Sequence, residues 1–160
     1  MKRVEKGFTL VEIMIVVAII ALLAAIAIPN VLRGRATANE TAAIGNMRAL
    51  LSSLEMYRSV NSAYPTSWGS MTTANPPFYP QPFSGNSSVI AQTVQGFIYA
   101  YTGTGANNYL ITAVPSSASS GGRQFFVNET GRVFHCSSTS TTPGALPTTS
   151  IDGPPASTCP

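Results

Sequence analysis

Apolar residues fill nearly every position from 8 to 28, a run of 21 residues in which only Thr9 and Glu12 break the pattern. At about 1.5 Å of rise per residue, a helix of that length spans roughly 30 Å, enough for one bilayer crossing. Beyond Pro29 the pattern turns amphipathic. Ile44, Met47, Leu51 and Leu54 recur at helical spacing, Leu50 and Tyr57 widen the stripe, and the helix is predicted to continue to about Val60. Pro29 removes a backbone donor and Gly34 adds freedom, so a kink or a locally unwound stretch is expected over 25–34. Asn61, Ser62 and Pro65 supply the stop chemistry.

Residues 64–95 hold Pro65, Pro76, Pro77, Pro80 and Pro82 and few periodic apolar positions, which predicts a long surface loop with room for one short helix. GFIYAYT, NYLITAV, RQFFVN and GRVFHC then read as four short strands, rich in aromatic and branched residues, with Asn128 to Gly131 as a hairpin turn. No helix-length segment separates them, which excludes a parallel, doubly wound sheet. The expected fold is α+β: a long N-terminal helix, half membrane-spanning and half amphipathic, packed on an antiparallel sheet of about four strands.

Charge sharpens this picture at the N-terminus. Lys2, Arg3 and Lys6 precede the apolar run against Glu5 alone, so this end should stay cytoplasmic and the rest of the chain should emerge across the membrane. An ordinary secretory signal is the competing reading, since Ala21, Ala24, Ala25 and Ala27 imitate a small-residue cleavage site. Glu12 does not suit a plain anchor. A charge inside the hydrocarbon region costs on the order of 3 kcal/mol on insertion scales, so the acid there needs a reason.

The segment KGFTLVEIMIVVAIIALLAAIAIP resembles the class III signal of type IV pilins and type II secretion pseudopilins. The resemblance implies a pilin fold, most like a type IVa pilin. It also implies that a membrane peptidase cuts after Gly7 and methylates the new amine of Phe8, with Glu12 and Pro29 at the family's assembly positions. YRSVNSAYPTS is similar to the end of the family's helix, and FFVNETGRVF to a strand, turn and strand of pilin-like proteins. The implied layout is a leader over 1–7, a transmembrane and filament-core helix over 8–33, and a head over 34–160. The head divides into an amphipathic helix 34–62, a loop 63–95, a sheet 96–136 and a disulfide-bounded loop 136–159. Cutting after Gly7 removes three of the nine basic residues and one of the six acids, leaving six against five. Nucleic-acid binding is therefore poorly supported, because it needs clustered cations.

After Cys136 the chain becomes SSTSTTPGALPTTSIDGPPAST, with almost nothing to bury, and alone it would be disordered. Cys136 and Cys159 bracket it, and an even cysteine count in an exported chain favours a disulfide, which in the chain-entropy model stabilises by roughly 3 kcal/mol. The family's C-terminal disulfide loop falls at the same place.

Catalytic chemistry is sparse. His135 is the only histidine and is expected as a surface or edge-strand residue; Glu129 and Asp152 are the only acids after the helix, too few for a carboxylate pair or a calcium cage. No cofactor and no metal site is expected, and an enzyme is the least favoured class. Asn39, Asn86 and Asn128 begin glycosylation patterns that arise readily by chance, and the Ser/Thr tail is the better candidate for sugars.

The reading is a structural subunit that polymerises into an extracellular type IV pilus. The alternative is a pseudopilin or minor pilin of a type II secretion system, and a single-pass binding module is the competitor from another class. The resemblance implies as partners other copies of the chain, prepilin peptidase, an inner-membrane assembly platform and a cytoplasmic ATPase. It implies an inner-membrane location first and a cell-surface fibre afterwards.

Overall fold

A computed structural model describes residues 7–80, 82–85, 89–103 and 106–137, the side chains of 89–92 excepted. Two compact units divide the chain, Met1–Arg35 and Ala36–Pro160. Helix α1 (Leu10–Asn61) is assigned over 52 residues with Pro29 inside it, so the unwinding expected over 25–34 is not present. A proline in mid-helix leaves the carbonyl four residues back, here that of Ala25, without its usual donor. One residue on, the Asn30 side-chain amide donates to the Ile26 carbonyl at 3.2 Å. The helix ends as its sequence predicts: Ser62 takes a left-handed conformation (φ 57°) and its N–H donates to the Arg58 carbonyl at 2.8 Å.

Within the second unit the buried face of α1 is Glu40, Ala43, Met47, Leu50 and Leu54. This corrects the expected stripe. Ile44 and Leu51 are half-buried flanks packed against the core, and its centre runs through Ala43 and Leu50. A helix presents i, i+4, i+7 and i+11 on one line, and Ala43, Met47, Leu50 and Leu54 satisfy that spacing. The small Ala43 carries too weak a hydrophobic signal to mark the line in the sequence.

Five antiparallel strands form one sheet in chain order: β1 (Val89–Val94), β2 (Phe97–Gly103), β3 (Tyr109–Pro115), β4 (Arg123–Asn128) and β5 (Val133–Ser137). Four of them match the expected segments, and β1 is the addition to the expected count. Gln95 and Gly96 join β1 to β2 with φ of 52° and 81°, the two positive values that a two-residue primed turn requires. A glutamine at the first position is not the Asn or Asp that flags such turns. In the β4–β5 hairpin the Asn128 side chain accepts from the Thr130 N–H at 3.2 Å, and Gly131 takes φ 72°.

Register assigns the faces. Tyr99 opposes Ala113, Tyr101 opposes Ile111, Ala113 opposes Phe125 and Val127 opposes Val133, and these residues with Met47, Leu50 and Leu54 make up the core. The segment expected as a surface loop joins that core instead. It contains the short α2 (Gly69–Thr72), and Tyr64, Trp68, Met71 and Phe83 are buried. The Trp68 indole donates to the Phe83 carbonyl at 3.0 Å and the Tyr101 hydroxyl donates to the Pro65 carbonyl, so the segment is fastened at both ends by buried polar bonds. Single aromatic anchors among prolines have no period, which is why the sequence pattern hides them.

Candidate functional site

In the first unit, Gly7, Phe8 and Thr9 precede the first turn of α1, all of them exposed, and Phe8 is 85% exposed. A Cβ built on Gly7 meets nothing within 4 Å among the described residues, so the backbone there is open. Thr9 and Glu12 form a reciprocal cap. The Thr9 N–H and hydroxyl both donate to Glu12 Oε2 at 2.8 Å, and the Glu12 N–H donates back to the Thr9 hydroxyl at 3.2 Å. This is a capping box, in which a side-chain oxygen and a carboxylate three residues on satisfy the orphan N–H groups of a helix start. The acid also sits at the positive end of the helix dipole.

Thr9 is the residue that the sequence reading passed over. Its signal was present in T-L-V-E, a hydroxyl and an acid at capping-box spacing before an apolar run. The Phe8 nitrogen is a peptide nitrogen in this chain and carries no charge to pair with Glu12. The side chains after the cap, from Leu10 through Leu32, are almost all exposed, and α1 is long and apolar enough to cross a membrane.

The other expected site residues lie apart from this end. Pro29 is inside α1, and Cys136 is fully buried on β5. Cys159 and Asp152 lie outside the described residues, as do residues 1–6 of the leader. Where β4 begins, Glu40 receives the Gly122 N–H on Oε1 at 2.9 Å, and the Arg123 Nε and Nη2 groups on Oε2 at 2.9 and 2.7 Å. His135 stands on the same face, buried on the edge strand, and neither ring nitrogen has a hydrogen-bond partner among the described residues. It is an edge-strand residue as expected, but not a surface one. Burial and then the Arg123 charge hold its imidazole below the ordinary histidine value, with Glu40 opposing. Among the described residues no group of three or more His, Cys, Asp or Glu stands ready to hold a metal ion.

Comparison with known proteins gives these features a context. Residues 2–28 match the family described as the prokaryotic N-terminal methylation motif. The chain is 42% identical over 66 residues to the type II secretion system core protein G of Dickeya chrysanthemi, covering 41% of this chain and 43% of that protein. Over 68 residues it is 43% identical to core protein G of Vibrio cholerae, covering 41% and 47%. It is 47% identical over 62 residues to the type IV wide pilus major component PilA4 of Thermus thermophilus, covering 39% and 47%. The chain spans less than half the length of these curated relatives. No solved structure matches it. The chain carries the prepilin methylation motif and is homologous to type II secretion core protein G and to a type IV pilin.

Proposed function

We propose that this chain is the precursor of a non-enzymatic structural subunit whose N-terminal helix first anchors it in a membrane and then builds the core of a helical filament. The observation that carries this reading is the apolar surface of residues 8–32, exposed in the folded chain and interrupted by a single acid. Such a surface needs lipid or the same surface of neighbouring copies, and one helix serves both states. The peptidase cuts between Gly7 and Phe8, and Phe8 becomes the methylated N-terminus. Glu12 and Pro29 act in assembly, and Cys136 pairs with Cys159. Prepilin peptidase, an inner-membrane platform and a cytoplasmic ATPase are the partners in processing and extraction, and the head lies outside the cytoplasm.

The filament is read as a type II secretion pseudopilus. This reverses the order that the sequence suggested, because core protein G of several bacteria is among the relatives. The surface pilus is the second reading, and the identity to the Thermus wide pilus component favours it.

Intact mass of the cell-derived protein tests the cut: a start at Phe8 carrying one added methyl is expected, and a start at Met1 or near Ala24 overturns it. Non-reducing peptide mapping is expected to join Cys136 to Cys159. Deleting the gene separates the two filaments: loss of exoprotein release with surface fibres intact supports the pseudopilus, and loss of sheared surface fibres alone supports the pilus.

A further inference from the structure

Glu12 and Arg33 bound the longest charge-free stretch of the first unit. Residues 13–32 belong to the unbroken α1, so they rise about 1.5 Å each and together roughly 30 Å, the thickness of a bilayer's hydrocarbon. Asn30 is the only polar side chain among them. Its amide is turned back onto the Ile26 carbonyl at 3.2 Å, as a polar group in lipid must be. Arg33 and Arg35 follow at once, both exposed, and no acid occurs between Ile13 and Asn39. Glu40, the next acid along the chain, is already engaged by Arg123 and the Gly122 N–H.

We infer that Arg33 and Arg35 bind the phosphates of anionic phospholipids in the leaflet opposite the leader, one lipid to each arginine. The inference rests on the membrane-anchored reading above. If residues 13–32 fill the hydrocarbon, Arg33 stands at its edge. If the run 8–28 fills it instead, Arg33 lies five residues further on, about 7 Å out, still within a headgroup layer roughly 5–7 Å deep. Arg35 is about 3 Å beyond, and its long arm reaches back to the same layer. The first register makes both contacts at the boundary itself, and it also brings Glu12 and its Thr9 cap to the opposite boundary.

The local geometry suits two lipids better than one. Residues two apart on a helix point about 200° apart around its axis, so the two guanidinium groups face opposite sides. Between them, a Cβ built on Gly34 meets nothing within 4 Å among the described residues, which leaves room for headgroups against the backbone. Each planar guanidinium matches a phosphate bidentately. Phosphatidylcholine carries a phosphate too, but its choline neutralises it. Preference for a net-anionic headgroup therefore separates this pairing from arginines that only mark the end of the span.

The full chain in nanodiscs of equal phosphatidylcholine and phosphatidylglycerol, with retained lipids counted by native mass spectrometry, tests this. The unaltered chain should keep phosphatidylglycerol several-fold over phosphatidylcholine. Arg33→Gln with Arg35→Gln should lower that preference roughly two-fold, the rest coming from Lys2, Arg3 and Lys6. Arg33→Lys with Arg35→Lys should retain it. Arg48→Gln with Arg132→Gln takes the same charge from exposed positions of the second unit and should leave it unchanged. Equal retention of the two lipids by the unaltered chain overturns the inference, as does an unchanged preference in the first variant. A loss in the lysine variant, or an equal fall in the second-unit variant, overturns it as well. In each of these cases a chain that resists alkaline extraction from vesicles leaves the membrane-anchored reading standing, whereas a chain that alkali strips away overturns both.

Discussion

Glu12 is held by Thr9 through two donors on one carboxylate oxygen. An acid so satisfied is less costly in lipid than a bare one, because its charge is spread over hydrogen bonds and the helix dipole. Under the proposed cut, the Phe8 amine would add a cation four residues from Glu12. We predict that Glu12→Val still inserts and is still cut after Gly7, yet yields few or no fibres. Membrane fractionation, N-terminal mass and fibre yield on one strain check this, and normal yield from processed protein refutes it. At the head, Glu40→Gln should lower stability by about 2 kcal/mol, below the 3–5 of a fully buried pair because the Arg123 side chain keeps 34% of its exposure. Urea unfolding of a fragment beginning at Ala36 measures it. His135 adds a pH dependence. Because the folded head holds its imidazole below the ordinary value, the unfolded chain takes up the proton first. Stability is therefore fully present above about pH 6.5 and falls as pH drops below that toward the lowered folded value. His135→Phe should flatten this slope in thermal melts between about pH 8 and about pH 5. The motif over residues 2–28 was legible because its residues are contiguous in the chain, whereas the setting of Glu40 and His135 was not. Their significance comes from partners more than eighty residues away in the chain or from burial, and neither has a local signature.

Among the elements, α1 shows what periodicity resolves and what it leaves open. The amphipathic stretch and its end at Asn61 are plain in the pattern, but the line of contact takes Ala43 and Leu50 where Ile44 and Leu51 were expected, with Met47 and Leu54 common to both. Leu50→Ala should cost about 3 kcal/mol, as for a fully buried leucine, and Leu51→Ala about 1 kcal/mol, as for a flank. Equal costs in urea unfolding would return the centre of the stripe to Leu51. The sheet was legible strand by strand except for β1, whose turn uses Gln95 where Asn or Asp is usual. Close backbone approach marks another element-level constraint. A Cβ on Gly103 would stand 2.7 Å from the Pro65 carbonyl oxygen, so Gly103→Ala must push β2 away from the segment that carries Trp68.

At the scale of the whole chain, the two units have opposite relations to water. Residues 8–32 expose their apolar side chains, whereas the second unit buries its own around Met47, Leu50 and Tyr99. A fragment of residues 36–160 should therefore elute as a detergent-free monomer, while the full chain should need detergent or neighbouring copies. Light scattering on both distinguishes them, and aggregation of the fragment would show that its apolar surface is not closed.

The order of the strands bears on how the head matures. Each strand bonds to the one before it in the chain, so no strand must be threaded between two that are already paired. Hairpins can close one after another as the polypeptide emerges, each on the microsecond scale of local pairing. The stretch of α1 bearing Met47 and Leu50 is synthesised before any strand, yet its partners on β3, β4 and β5 arrive last. Docking that helix closes the longest loop in the head, and so carries the largest loop-closure entropy cost of its assembly. Between the last hairpin and that docking, the inner aromatic face stands open, and this is the interval in which the head is most vulnerable to proteases.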